Sequence, residues 1–251
     1  MGQTRKTILI TGASSGIGAA TALAAARSGY DVGLGYLSDE PSALALAQKI
    51  RAVGARAELL QGDIADPEAV DSIFSNFDDV FDELNVLVNN AGIVATSQRV
   101  EEMSYSRVTR MFATNAVGPF LCAQHAVLRM AYRYGGRGGV ILNVSSRAAK
   151  LGSAGQYVDY AASKGALDVL TKGLAKEVAP EGIRVVGVRP GVIDTGLHAK
   201  GGEPDRAESL KGQIPMGRVG TADEVARTLM WLMSDRASYV TGTTVDVGGG
   251  R

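Results

Sequence analysis

Short apolar runs alternate with longer segments of helical spacing from one end of the chain to the other. Thr7-Ile8-Leu9-Ile10-Thr11 is a β-branched run that breaks into glycines and leads into an Ala-rich segment, Ala19 to Ala26, which reads as strand, turn, helix. The same alternation predicts strands near 7–11, 31–37, 56–61, 84–89, 138–144, 183–188 and 243–247, and helices near 16–28, 40–53, 67–81, 101–132, 156–179 and 222–234. Two helix starts are explicit: Asp66-Pro67 supplies a cap and a first-turn proline, and Thr221 to Glu224 reads as a capping box. No linker or low-complexity break interrupts the alternation. The expectation is a single α/β domain over 1–251, built of βαβ units into a doubly wound parallel sheet with helices on both faces.

Composition narrows the class. A chain of 251 residues with 45% hydrophobic content can bury a large core as one domain. Lys plus Arg and Asp plus Glu both number 26, so there is no basic footprint for nucleic acid. Cys122, the lone cysteine, excludes an internal disulfide; set in Phe120-Leu121-Cys122-Ala123, it reads as a buried structural thiol. With two histidines and one cysteine, no metal cluster is expected. No apolar signal region precedes the first strand and no membrane span is legible, so a cytoplasmic protein is expected.

Two stretches carry chemistry. Gly12-Ala13-Ser14-Ser15-Gly16-Ile17-Gly18 joins the first strand to the first helix, where glycines admit a close ligand and the free helical N–H groups attract a pyrophosphate. Its spacing, G-x-x-x-G-x-G, departs from the generic dinucleotide fingerprint G-x-G-x-x-G. Tyr160-Ala161-Ala162-Ser163-Lys164 sets a phenol and an ammonium on one helical face. A fixed positive charge favours the phenolate, and the expectation is that Lys164 lowers the Tyr160 pKa from its ordinary value near ~10.

TGASSGIG at 11–18, Asn89-Asn90-Ala91-Gly92, Asn115, Ser145-Ser146, YAASK at 160–164 and Pro190-Gly191 follow one another in an order that resembles the short-chain dehydrogenase/reductase family, over almost the whole chain. Tyr157 to Arg189, Gly202-Glu203-Pro204 and Ile214-Pro215-Met216 resemble the glucose 1-dehydrogenase-like and 3-oxoacyl-reductase-like members. The resemblance implies a Rossmann-type fold and hydride transfer between a nicotinamide cofactor and a carbonyl or carbinol carbon of a small substrate. It assigns Tyr160 as acid/base, Lys164 to the Tyr160 pKa and the nicotinamide ribose, Ser146 to the substrate oxygen, and Asn115 to a water linking Lys164 to solvent. Ser146 stands 14 residues before Tyr160, one more than the commonest family spacing, with the extra residue placed in Gln156-Tyr157-Val158-Asp159. Ser146 is preferred to Ser145 because adjacent residues leave a strand on opposite sides. Tyr157, followed four positions on by Ala161, is a decoy for the catalytic phenol and a candidate pocket wall.

The implied cofactor site comprises Gly12, Ser14, Ser15, Gly16, Ile17, Gly18, Tyr36, Ser38, Asp63, Ile64, Asn90, Ala91, Gly92, Tyr160, Lys164, Pro190, Gly191, Ile193 and Thr195. Cofactor choice turns on the end of the second strand, where a carboxylate would repel a 2′-phosphate. Tyr36 stands there, with Ser14, Ser15 and Ser38 as donors; no arginine is evident, and Asp39-Glu40 lie nearby. NADP is favoured over NAD. Residues 191–212, rich in Gly and mixed charge, read as a lid, with His198 a surface residue on it. A homotetramer is expected from the resemblance and from apolar residues on more than one face of the YAASK helix. The other readings are an NAD-preferring sugar dehydrogenase and a nicotinamide-binding sensor without turnover.

Overall fold

Strands this apolar are stable only when covered on both faces, and the computed structural model, which describes residues 5–196, 202–203 and 206–251, covers them so. The first half runs β1 (Lys6–Ile10), α1 (Gly16–Arg27), β2 (Tyr30–Tyr36), α2 (Glu40–Ala52), β3 (Ala57–Gln61), α3 (Pro67–Asp78) and β4 (Val86–Asn89). Then follow α4 (Tyr105–Phe112), α5 (Gly118–Met130), β5 (Gly139–Val144), α6 (Ala148–Leu151), α7 (Val158–Val178) and β6 (Ile183–Pro190). The chain closes with β7 (Ile193–Asp194), α8 (Arg206–Leu210), β8 (Gly220–Thr221), α9 (Ala222–Met233) and β9 (Thr244–Val247).

Seven strands form one parallel sheet in the order β3-β2-β1-β4-β5-β6-β9. Period-two alternation divides its side chains between two cores. Ile8, Ile10, Val32, Leu34, Val86, Val88 and Leu142 join the core with α1, α2 and α9. Leu9, Leu60, Leu87, Ile141 and Val185 join the one with α3, α5 and α7. Cys122 lies in the second core, fully buried, and burial pushes its thiol up to about 12, which removes it from thiolate chemistry. The order turns back between β1 and β4, which places a ligand crevice at the carboxyl ends of these strands.

The expected helix over 101–132 is divided. Ser104 accepts a hydrogen bond from Arg107 N at 3.2 Å and resets the start to Tyr105. Between α4 and α5 the chain makes a π turn, Ala113–Val117, before Pro119, which has no N–H to offer a regular turn. Within 191–212 the described residues form two short elements: β7, paired with β8, and α8. His198 and the other residues at 197–201, 204 and 205 lie outside the described residues. Among the described residues no helix is long and apolar enough to cross a membrane, and no group of three or more His, Cys, Asp or Glu could hold a metal.

Candidate active site

The crevice at the turn-back is a cleft of about 680 Å³. At one end the β1–α1 turn forms its wall. Gly12 has φ +63°, and a Cβ there would come within 2.8 Å of Ala91 Cα. Gly18 does not face the cleft; a Cβ on it would meet Gly12 O at 2.5 Å and Asn90 Nδ2 at 2.6 Å, so glycine lets α1 press against the turn. Ser15, at the α1 N-cap, makes no side-chain hydrogen bond to the helix, which leaves the first N–H groups for a ligand. Asn90 fastens the two loops by donating from Nδ2 to Thr11 O and Gly12 O, both at 2.9 Å, while Thr11 Oγ1 accepts from the N–H groups of Asn90 and Ala91. A backbone cradle beside an uncapped helix fits the pyrophosphate of a dinucleotide.

Ser14, Gly16, Ile17, Tyr36, Ser38, Asp63, Ile64 and Gly92 line the same cleft. Tyr36 is 6% exposed, and burial, followed by the Glu40 charge, raises its phenol pKa. Asp39, which also lines the cleft, is committed as the α2 cap and accepts from Ser42 N at 3.3 Å. Arg110, which sequence reasoning did not single out, lines the cleft from α4, paired with Asp63 at 2.8 Å. Burial pushes the Asp63 carboxyl up, but the Ala65 N–H and the Arg110 guanidinium outweigh it and leave its pKa lowered.

At the other end, Ser146, Tyr160 and Lys164 meet at the cleft floor. Lys164 is buried and donates from Nζ to Val144 O at 2.8 Å. Burial lowers its pKa to about 8, with Asp168 opposing the shift. The expectation that Lys164 lowers the Tyr160 pKa is not met. Burial raises that pKa, the lowering contribution comes from the Ser146 hydroxyl, and the Lys164 ammonium stands 5.9 Å from the phenol ring centroid. Desolvation of the phenolate outweighs the attraction of a cation held that far away. Ser145 is turned inward, its hydroxyl donating to Lys164 O at 3.1 Å. Asn115 is fully buried behind the floor rather than on the cleft. Its Oδ1 accepts from Ile93 N at 2.8 Å and its Nδ2 donates to Ile93 O at 2.9 Å, so the π turn clamps the loop that follows Gly92.

Pro190, Gly191, Ile193 and Thr195 line the cleft after β6, and α8 contributes Arg206 and Leu210. Arg206 stacks over the Tyr157 ring at 4.4 Å, pairs with Glu203 at 3.2 Å and donates to Gln156 Oε1 at 2.7 Å. Glu203 also accepts from Ser97 N at 3.0 Å and from the Tyr157 hydroxyl. Tyr157, 3% exposed, is pushed up to about 12, chiefly by burial and then by that hydrogen bond. This clasp escaped sequence reasoning. Its one local signal was the extra residue at 156–159, which brings a second tyrosine to the wall.

The sheet order, the crevice and the glycine cradle define a Rossmann-type dinucleotide-binding protein. The family model described as Enoyl-(Acyl carrier protein) reductase matches residues 12–251. The oxidoreductase YgfF of Escherichia coli strain K12 is 51% identical over 97% of this chain and 98% of its own length. The 3beta-hydroxysteroid dehydrogenase 1 of Eggerthella lenta is 38% identical over 98% and 93%. A short-chain type dehydrogenase/reductase from Mycobacterium marinum superposes with a TM-score of 0.90 at 34% identity, covering 98% of this chain and 94% of that one. Two other solved relatives carry different cofactors. A blue fluorescent protein from a metagenomic library is in complex with NADPH (TM-score 0.89, 32% identity, 98% and 97% covered). The 3-ketoacyl-(acyl-carrier-protein) reductase of Brucella melitensis is in complex with NADH (0.89, 32%, 98% and 98%). The chain belongs to the short-chain dehydrogenase/reductase family, oxidoreductases that use a nicotinamide cofactor on alcohol and ketone groups.

Proposed function

We propose that the protein is an NADP(H)-preferring carbonyl reductase or alcohol dehydrogenase with Tyr160 as its acid/base. The observation that carries this reading is the Tyr160 phenol on the cleft floor, hydrogen-bonded to Ser146 and backed by a buried Lys164. A bound nicotinamide would supply or accept the hydride. Tyr160 moves the matching proton at the substrate oxygen, Ser146 holds that oxygen, and Lys164 holds a ribose hydroxyl as an ammonium. Asn115, through Ile93, keeps the loop after Gly92 in place. The raised pKa keeps Tyr160 a phenol at neutral pH, which suits it to donate a proton in carbonyl reduction.

The preference for NADP(H) is supported by Tyr36 in place of a carboxylate, by Ser14 and Ser38 on the same wall, and by the engagement of Asp39 as a cap. Glu40, whose charge reaches Tyr36, supports the second reading, an NAD-preferring sugar dehydrogenase. A panel of ketones and aldehydes assayed with NADPH and with NADH separates them; turnover faster with NADH overturns the cofactor assignment. For the domain boundaries we keep 1–251 as one unit, with 191–212 as the substrate lid, supported by the Glu203–Arg206 clasp on Tyr157. A homotetramer is the proposed assembly, supported by the exposed Val117, Phe120 and Leu128 on and beside α5 and Val169 on α7. Light scattering at micromolar concentration tests it, and a monomer mass rejects it.

A further inference from the structure

Behind the cleft floor runs a chain of charges that proton transfer does not itself require. Asp168 stands one helical turn beyond Lys164 on α7, so the two share a face. Its Oδ2 accepts from Arg189 Nε at 2.7 Å, while Oδ1 is buried without a hydrogen-bond partner among the described residues. Arg189, near the end of β6, reaches from Nη1 to Thr244 O and to Asp246 Oδ1 on β9, each at 3.2 Å. Asp246 Oδ2 in turn accepts from Arg147 Nη1 at 2.5 Å and Lys150 Nζ at 2.9 Å. Arg147 directly follows Ser146. The chain thus leaves the helix that carries Tyr160 and Lys164, crosses two strand ends and returns to the segment that carries Ser146.

A buried pair such as Asp168–Arg189 is a weak stabilising device, because desolvation offsets most of its attraction. Its place suggests another role. The titratable and charged groups around Lys164 are Tyr160 and Asp168 from its own helix and Arg189 behind Asp168, with Arg147 on the wall of the same cleft; Gly92 and Asn115 lie against its ammonium and are neutral. Asp168 is the one carboxylate in that set, and its free Oδ1 keeps its negative charge uncompensated on one side.

We propose that Asp168 is a positioning residue of this enzyme, its carboxylate holding Lys164 as an ammonium beneath the cleft while Arg189 orients that carboxylate and offsets part of its charge. The proposal rests on the reading of Lys164 as a cofactor-holding cation. The direction in which Asp168 acts on Lys164 agrees with it. Removing the carboxylate should make Lys164 lose its proton more readily; removing Arg189 should leave the carboxylate unopposed and make Lys164 keep it longer.

The test is NADPH affinity, read by fluorescence titration from pH 6.5 to 10 on the wild type and on Asp168→Asn, Asp168→Glu and Arg189→Gln, each checked for native circular dichroism. Wild-type affinity should fall above a midpoint near 8. Asp168→Asn should move that midpoint down by about one pH unit, Asp168→Glu should leave it in place, and Arg189→Gln should move it up. Where one variant does not fold, the sign of the shift in the other decides. A wild-type midpoint that stays put in every folded variant, or that Arg189→Gln moves down, overturns the proposal and leaves the cofactor reading standing. A wild type that binds neither NADPH nor NADH overturns the reading itself.

Discussion

The two ends of the cleft solve binding with different materials. The cradle end is made of backbone: the amides of α1, the Gly12 turn and the Asn90 clasp on two carbonyls. The floor is made of ionisable side chains, Tyr160 and Lys164, each shifted toward its neutral form by burial. A backbone site has no protonation state to lose, so its failure is steric; the floor fails by pH or by loss of a single group. Each kind of substitution therefore acts at its own end, and the largest effect is expected at the floor. Tyr160→Phe removes one hydroxyl, so turnover should fall by at least ~10² while NADPH still binds. Retention of more than about a tenth of the activity would require another proton donor, and Tyr157 would be next.

At the cradle, Gly18→Ala puts a methyl against Gly12 O and Asn90 Nδ2, at contacts too short to keep. The helix must back away from the turn, at a cost of roughly 1–3 kcal/mol, typical of overpacking. Melting temperature and cofactor affinity should fall together. Unchanged melting would show that the α1 start is softer than its packing implies.

This difference in materials also explains what the chain disclosed in advance. The glycine turn, the strand ends and YAASK are local patterns, so the cradle and the floor could be read residue by residue. Three things were not legible in local spacing. The Tyr160 pKa direction is set by burial, which no spacing reports. Asp63 meets Arg110 from a helix 47 positions on. Asn115 sits in a π turn whose cause, Pro119, was visible but whose effect on the helix was not.

The floor, unlike the cradle, answers to pH. Lys164 has its pKa lowered from 10.5 to about 8, so above about 8 the protein must take up a proton to present an ammonium. NADPH affinity should then fall, approaching tenfold per pH unit. In the same window, between 8 and 10.5, an unfolded chain holds this proton and the native one does not, so Lys164 contributes stability that grows as pH rises. An affinity flat from pH 7 to 10 would show that Lys164 is not the cation the cofactor meets.

Tyr36→Asp tests the cradle end with a charge instead of a methyl. A carboxylate at the end of β2 repels a 2′-phosphate and accepts from a 2′-hydroxyl, so the NADPH-to-NADH affinity ratio should drop by about tenfold, as expected of one unfavourable charge contact. A ratio that does not move would shift attention to Glu40.

The smallest effect is expected where α8 meets the floor. Arg206→Ala removes the cation over Tyr157 and the bonds to Glu203 and Gln156, but nothing that touches the Tyr160 hydroxyl. A stacked cation of this kind is worth about 1 kcal/mol, so KM for a carbonyl substrate should rise roughly fivefold with kcat nearly unchanged. The clasp also has an acid limit. The Tyr157 hydrogen bond leads the effects that lower the Glu203 pKa below its ordinary 4.5, so its contribution is present above that value and is lost as pH falls through the lowered one. If α8 acts as a lid through this clasp, acidification below 4.5 should raise KM in the wild type and leave Arg206→Ala, already unclasped, little changed. A kcat that falls with KM fixed would place Arg206 in the chemistry instead, and the two ends of the cleft would then share a third component.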